Sequence, residues 1–201
     1  MRGRAALMKK DAVLARHIDH VGPLRLELKP LSSIYEALAE AIVYQQLSGK
    51  AAGTIWGRAA TLGKRGFPTP DELVALPEET VRAAGISSAK QRALRDLAAH
   101  AARGELPTVK EAAAIDDDDL VERLTIVRGV GRWTVEMLLI FRLGRSDVLP
   151  ATDYGVRKGF QKVFRTRELP DPDDILQRGE RWRPHRTIAS WYLWRALDTQ
   201  P

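Results

Sequence analysis

Cysteine is absent from the 201 residues of this chain. Without thiols, disulfide bonds, cysteine-ligated zinc and cysteine-ligated iron–sulfur clusters are all excluded. The four histidines do not have the HxxxH or HExxH spacing of a helical zinc site. A hydrolase that binds its metal through carboxylates alone is still possible, but no motif favours one. We therefore expect no required metal or other cofactor.

Long apolar runs are also missing. No segment approaches the roughly 20 apolar residues of a membrane span. The basic N-terminus is not followed by the apolar stretch of a signal peptide. These two absences predict a soluble cytoplasmic protein that does not bind membranes.

Alternating apolar and polar residues, which are typical of a half-buried strand, are scarce, and only Leu24–Lys29 suggests a short extended piece. Helix signals are frequent instead. Ser33 with Glu36 forms a capping box, and a capping threonine precedes Pro70. About nine or ten such helices, joined by short connections, predict an all-α fold. Hydrophobic residues make up 44% of the chain, enough for a substantial core.

Basic residues outnumber acidic ones, 32 to 26, which gives a net charge of +6. Such an excess suits a polyanionic partner such as nucleic acid. A solvated basic surface with no nucleic-acid partner is the alternative.

Two glycines, Gly129 and Gly131, lie in a turn between two helical patterns. Glycine permits a positive φ and removes the Cβ that would keep a ligand from the backbone. The helix that follows begins with unpaired N–H groups and a partial positive charge, which together favour an anion. The side chains of Arg128, Arg132 and Thr134 could donate to the same anion. The alternative is that the glycines only end the first helix.

Asp153 lies just before a second helical pattern that contains Val156 and Phe160. Its commonest use at such a position is to cap the helix N-terminus. A second interpretation follows from the surrounding motifs.

The stretch RGVGRWT, residues 128–134, resembles the hairpin of the helix-hairpin-helix DNA-binding motif, with Arg128 in place of the usual proline. A hairpin of this kind, then a helix, then an aspartate at the next helix start resembles the HhH-GPD superfamily of base-excision DNA glycosylases. Residues 41–60, 67–106 and 182–196 resemble its 3-methyladenine DNA glycosylase II (AlkA-type) branch. The likeness runs from about Ser32 to Arg195.

The resemblance implies an all-α, two-lobed HhH-GPD fold with DNA in the cleft between the lobes. We expect a six-helix lobe over 28–145 with the hairpin at about 127–133, and a second helical lobe from 1–27 and 146–201. The extra N-terminal β-rich domain of the larger members is expected to be absent. A backbone-bound monovalent cation in the hairpin is plausible in this family.

Asp153 is the catalytic carboxylate by this resemblance, and it also caps its helix. Bifunctional relatives such as endonuclease III have a lysine nucleophile where this chain has Trp133. Tryptophan cannot form a Schiff base, so the resemblance implies a monofunctional enzyme without lyase activity. The missing cysteines agree, because the endonuclease III branch commonly carries an iron–sulfur loop.

The resemblance also implies a base pocket with aromatic walls, which would bind a cationic alkylated base by stacking and cation–π attraction. Its residues would be Trp133, Trp194, Tyr154 and Met137. For either tryptophan the alternative is core packing. Met137 stands where the branch often has an aromatic residue.

The loop Tyr44–Lys50 is expected to enter the minor groove, with Leu47 or Gln46 as the wedge that fills the space of the flipped base. The alternative for Leu47 is a core position between helices. Lys50, Lys90 and Arg186 are candidate phosphate contacts, and solvated surface charge is the alternative for each.

The function implied is removal of alkylated purines from double-stranded DNA by a monomeric glycosylase, with 3-methyladenine favoured and 7-methylguanine also considered. If the source is bacterial, the protein would be located at the nucleoid. Two alternatives stay open: a non-catalytic helix-hairpin-helix protein that binds damaged DNA, and a glycosylase for other damaged bases.

Overall fold

The computed structural model describes residues 2–198. This part of the chain forms thirteen α-helices and one 3₁₀ turn and contains no β-strand. The predicted all-α fold is confirmed. None of the helices in the described range is long and apolar enough to cross a membrane.

The helices follow one another with short connections. In chain order they are α1 (Arg2–Lys10), α2 (Ala12–Val21), α3 (Ile34–Tyr44), α4 (Gly49–Ala59), α5 (Pro70–Ala75), α6 (Glu78–Ala83), α7 (Ser88–Ala102), α8 (Val109–Ala114), α9 (Asp117–Thr125), α10 (Arg132–Phe141), α11 (Tyr154–Phe164), α12 (Pro172–Gly179) and α13 (Arg186–Arg195), with the 3₁₀ turn at Glu180–Trp182 between the last two.

The chain divides into two compact units. The first consists of Met1–Lys29 and Leu139–Pro201, and the second is the continuous segment Pro30–Leu138. The second division falls inside α10. The predicted lobes, with boundaries after residues 27 and 145, stay a prediction.

Capping side chains explain where several helices begin. Thr69, predicted from the sequence to cap a helix, forms a complete capping box with Glu72, and Thr108 forms another with Glu111. At α3 the Ser33 hydroxyl accepts the Glu36 amide, but the Glu36 carboxylate is bonded to the hydroxyl of Ser32 instead of completing the box.

The first unit has its core where α1 and α2 pack with α11 and α13. Fully buried side chains from both chain ends form it: Leu7, Leu14, Ile18, Trp182, Tyr192 and Leu193. Helices α11 and α13 approach so closely that a Cβ at Gly159 would overlap the Leu193 carbonyl group. Glycine at this position allows the two backbones to touch.

The second unit is organised around α7, its longest helix, which packs against α3, α5 and α6. Leu94 and Leu97 of α7 are fully buried, as are Leu38 and Ile42 of α3. Two polar side chains of α7 make contacts outside the helix: Lys90 with the end of α3 and the loop that follows it, and Asp96 with the turn at Arg128.

Candidate functional site

The two-glycine turn in the second unit is a hydrogen-bonded β-turn. The Val130 amide donates to the Val127 carbonyl at 3.0 Å, and Gly129 has φ +79°. A positive φ at the third turn position, with none at Arg128, defines a type II turn and explains why glycine is needed there. Val127 and Val130 are buried, whereas Arg128 and Gly129 between them are exposed.

Helix α10 begins directly after this turn, at Arg132. Gly131 is exposed, and nothing lies within 4 Å of the position of a Cβ there, so the approach to this backbone is open. The Arg132 guanidinium lies 3.2 Å from the Asp118 carboxylate of α9. Thr134 is buried and therefore does not share the exposed surface of the other predicted phosphate-binding residues.

The loop between α3 and α4 carries both wedge candidates. Gln46 has φ +57°, a left-handed conformation, and Leu47 follows with 39% of its surface exposed. Leu47 is therefore not a core residue, and that alternative is wrong. An apolar side chain displayed on a loop of this kind is available to a partner.

Hydrogen bonds join this loop to the two-glycine turn. The Gln45 side-chain amide donates to the Gly129 carbonyl at 2.8 Å. The Lys90 ammonium on α7 donates to the carbonyls of Val43 and Gln45, at 2.7 and 2.9 Å. Lys90 is thus neither a solvated surface charge nor directed at a phosphate. Burial also lowers the pKa of Lys90.

In the first unit, Asp153 caps α11, as its position in the sequence indicates. Its Oδ1 accepts the Val156 amide at 2.7 Å and the Trp194 indole N–H, also at 2.7 Å. The two donors come from different helices, so they fix the orientation of the carboxylate. The carboxylate is half-buried.

Trp194 is held on its other side by Phe141, whose ring centroid lies 5.7 Å away in a stacked arrangement. A Cβ at Gly155 would lie 2.9 Å from Trp194 Cδ1 and 3.0 Å from Asp153 Oδ1. Only glycine at position 155 leaves room for this hydrogen bond. Trp194 therefore orients Asp153, a role that was not predicted from the sequence.

The other predicted pocket residues differ in exposure. Trp133, in the first turn of α10, is 45% exposed, and Met137 one turn later is half-buried. Tyr154 is 64% exposed at the start of α11, with the Lys158 ammonium 5.9 Å from its ring centroid. The core alternative for Trp133 does not hold. Arg186, a phosphate candidate, is instead bonded to Asp147.

Sequence reasoning missed Gln45 and Asp96 in the second unit and Gly155 in the first, and it gave Lys90 a different role. The hydrogen-bond partners of Gln45, Lys90 and Asp96 are backbone groups distant in sequence, so no local motif marks them. In residues 2–198 no group of three or more His, Asp or Glu side chains could hold a metal ion.

A family profile matches residues 39–184 of the chain, and its description is HhH-GPD superfamily base excision DNA repair protein. The chain belongs to this superfamily. The matched range contains the two-glycine turn and Asp153. The resemblance inferred from the sequence is confirmed.

Similar HhH-GPD proteins are known from a yeast and a bacterium. DNA-3-methyladenine glycosylase 1 of Schizosaccharomyces pombe is 43% identical over 162 residues, 80% of this chain and 71% of that protein. The solved structure of S. pombe 3-methyladenine DNA glycosylase Mag1 with abasic DNA has 38% identity and a TM-score of 0.84, covering 97% of this chain and 96% of Mag1. A Bacillus halodurans DNA-3-methyladenine glycosidase has 32% identity and a TM-score of 0.88, covering 99% and 90%.

Proposed function

We propose that this HhH-GPD protein is a monofunctional DNA glycosylase that hydrolyses the N-glycosidic bond of alkylated purines in double-stranded DNA. The observation that carries the proposal is the geometry of Asp153, a half-buried carboxylate oriented by two N–H donors beside the exposed start of α11. A carboxylate that only caps a helix needs one donor, which here is the Val156 amide. The Trp194 indole N–H is a second donor, and it restricts the Asp153 side chain further.

The reaction breaks the bond between C1′ of the sugar and the purine nitrogen, and a bond from C1′ to a water oxygen forms. An alkylated purine is cationic and departs as a neutral base, so the charge of the transition state develops on the sugar. The Asp153 carboxylate stabilises that charge and accepts the proton of the attacking water. The base must first leave the stack, which costs a few kcal/mol.

Trp133 supports a hydrolytic rather than a covalent route. It occupies the position at which the resembling bifunctional enzymes carry their lysine nucleophile, and an indole cannot attack C1′. Water is then the nucleophile, and no Schiff base forms with the sugar. Borohydride treatment of the reacting mixture is expected to trap no protein–DNA adduct.

The two-glycine turn supports backbone binding of DNA. Its exposed glycines and the start of α10 offer N–H groups to a phosphate with no Cβ in the way. Such contacts position DNA without reading its sequence, which a repair enzyme that scans all sequences needs. Leu47, exposed on a loop tied to this turn, is the proposed wedge, with Gln46 as the other candidate.

The names of the relatives and the aromatic side chains support the proposed substrate class. Proteins similar to this chain are named for 3-methyladenine, and we favour the same base here, with 7-methylguanine as a further substrate. The pocket roles of Trp133, Met137, Tyr154 and Trp194 stay predictions, as does action as a monomer. No step uses the monovalent cation considered for the hairpin.

A base-release assay on duplexes with single lesions tests the proposal, with wild type beside Asp153→Asn. The asparagine oxygen can still accept both N–H groups, so the fold and binding to abasic DNA are retained while the negative charge is lost. We expect release of 3-methyladenine to fall by at least about a hundredfold, as when a charge-stabilising group is removed.

Two results would contradict this proposal. Excision retained by Asp153→Asn would remove the catalytic role of Asp153. Tight binding of wild type to lesion DNA with no release of any base would instead favour the non-catalytic alternative.

A further inference from the structure

A side chain of α7 accepts a hydrogen bond from the turn that precedes α10. The Arg128 amide, the second residue of the turn, donates to Oδ2 of Asp96 at 2.7 Å. The His100 ring also lies 3.5 Å from this oxygen. Asp96 thus accepts a hydrogen bond from a backbone N–H group 32 residues away. This bond is not one of the regular hydrogen bonds of a helix or a turn.

The fastened amide belongs to the position of a type II turn that favours proline. Proline fixes φ near −65° at this second position and has no N–H to satisfy. Arginine leaves φ unrestricted and adds a donor. The hydrogen bond from the Arg128 amide to Asp96 restricts the backbone at this position, as the ring of a proline would.

We propose that Asp96 is a positioning residue for DNA binding: by holding the Arg128 amide it keeps the turn in the conformation that presents Gly131 and the start of α10 to a phosphate. The part that concerns DNA rests on the proposed function. The part that concerns the turn rests on the hydrogen bond alone.

The negative charge of Asp96 and its hydrogen bond to the turn predict opposite changes in DNA affinity when the side chain is removed. The Asp96 side chain is 38% exposed, so a nearby phosphate would be repelled by its charge. If Asp96 only added negative charge, removing it would raise DNA affinity. If it positions the turn, removing it lowers affinity because an ordered binding surface is lost.

The first comparison is Asp96→Ala with Asp96→Asn, measured by fluorescence anisotropy on a duplex with an abasic-site analogue. Alanine removes the acceptor, and we expect affinity to fall about fivefold to tenfold. Asparagine keeps an acceptor oxygen and removes the charge, so it should recover most of that loss. Glu122→Ala on α9 is the matched control for loss of one exposed carboxylate.

The second comparison uses Arg128 to identify the group that Asp96 holds. In an Arg128→Ala background the amide remains, so Asp96→Ala should still weaken binding by the same factor. In an Arg128→Pro background there is no amide to hold, and Asp96→Ala should change affinity by less than about twofold. This difference between backgrounds is not produced by general destabilisation.

Hydrogen exchange at the Arg128 amide gives a readout that is independent of DNA. Exchange should be slow in wild type and Asp96→Asn and faster in Asp96→Ala. An equal effect of Asp96→Ala in both Arg128 backgrounds, or a gain in affinity, would overturn the proposal. If wild type releases no base and binds no DNA, the proposed function fails and the DNA role of Asp96 with it, even where the amide is protected.

Discussion

At the scale of the residue, the site in the first unit depends on one missing methyl group. Gly155 lies between the Asp153 carboxylate and the Trp194 ring, and a Cβ there would be within 3.0 Å of both. The Trp194–Asp153 hydrogen bond is 2.7 Å long. Orientation of the carboxylate is therefore set by glycine as much as by the donors.

Gly155→Ala should lower excision with little loss of stability. The added methyl group forces Trp194 or Asp153 to shift, and a displacement of this kind can reduce the rate by about tenfold to a hundredfold. Single-turnover base release measures it.

The control for this change is Gly57→Ala, an exposed position in α4 with nothing within 4 Å of a new Cβ. It should leave excision unchanged and stabilise the protein by roughly 0.5–1 kcal/mol. Equal excision by Gly155→Ala and wild type would show that the orientation of Asp153 does not matter.

Sequence reasoning reached Asp153 as a helix cap from a local pattern, and its catalytic role from the family resemblance. It did not reach the bond from Trp194, because that donor is 41 residues away and its direction depends on packing. Lys90 shows the same limit. The sequence shows the charge of Lys90. The two carbonyl groups that accept its hydrogen bonds are available only because α3 ends beside α7.

At the scale of the element, the α3–α4 loop and the two-glycine turn form a connected pair. Lys90 holds the loop backbone, and Gln45 of that loop holds the Gly129 carbonyl. We therefore expect a motion of the loop that carries Leu47 to act on the turn. Hydrogen bonds of Gln45 and of Lys90 on α7 join the proposed wedge to the proposed phosphate site.

Lys90→Met should weaken binding to abasic DNA about threefold to tenfold, since two carbonyls lose a charged donor while the aliphatic stem is kept. The dependence of affinity on salt should not change, because the ammonium touches carbonyls and no phosphate. Anisotropy titrations at several salt concentrations measure both quantities.

Lys110→Met, which removes one exposed positive charge from α8, is the matched control and should alter neither quantity appreciably. A fall of about one in the salt slope of Lys90→Met would mean that Lys90 contacts DNA after all.

Helices were predicted best where a cap marks their start, as at Thr69. The resemblance implied a helical lobe that includes residues 1–27, but no local signal predicted helices α1 and α2 individually. Their sequence has a basic first part, and the capping residue Asp11 lies between two short segments. These helices are stabilised by partners near the other end of the chain, which no local window contains.

At the scale of the whole molecule, one buried carboxylate joins parts of the first unit that are far apart in the sequence. Asp11 caps α2 and accepts hydrogen bonds from Arg178 and from the Trp182 indole. Burial alone would raise the pKa of Asp11, but the bonds from Arg178, Leu14 and Trp182 outweigh it and lower the pKa below 3.8. The ionised form therefore stabilises the fold.

Asp11→Asn should lower the free energy of unfolding at pH 7 by about 3 kcal/mol, because Arg178 loses its buried partner. The contribution is present above the unfolded pKa near 3.8 and is lost as pH falls through the lower folded-state pKa. Urea unfolding at pH 7 and pH 3 should show the difference between wild type and variant shrinking at the acid value.

Asp19→Asn is the control, since the ion pair of Asp19 with Arg4 is exposed and should be worth under about 1 kcal/mol. Equal stability of Asp11→Asn and wild type at pH 7 would mean that the ionised Asp11 carboxylate does not stabilise the first unit.

Asp11 accepts hydrogen bonds from partners 167 and 171 positions later, and we expect this separation to influence the order in which the chain folds during synthesis. On the ribosome, the second unit has all of its residues once position 138 has emerged. Helices α1 and α2 emerge before the second unit, but they can contact Arg178 and Trp182 only after those later residues have emerged. The second unit is therefore expected to fold before α1 and α2 pack, and a nascent chain stalled before residue 178 should carry a folded second unit and unpacked helices α1 and α2.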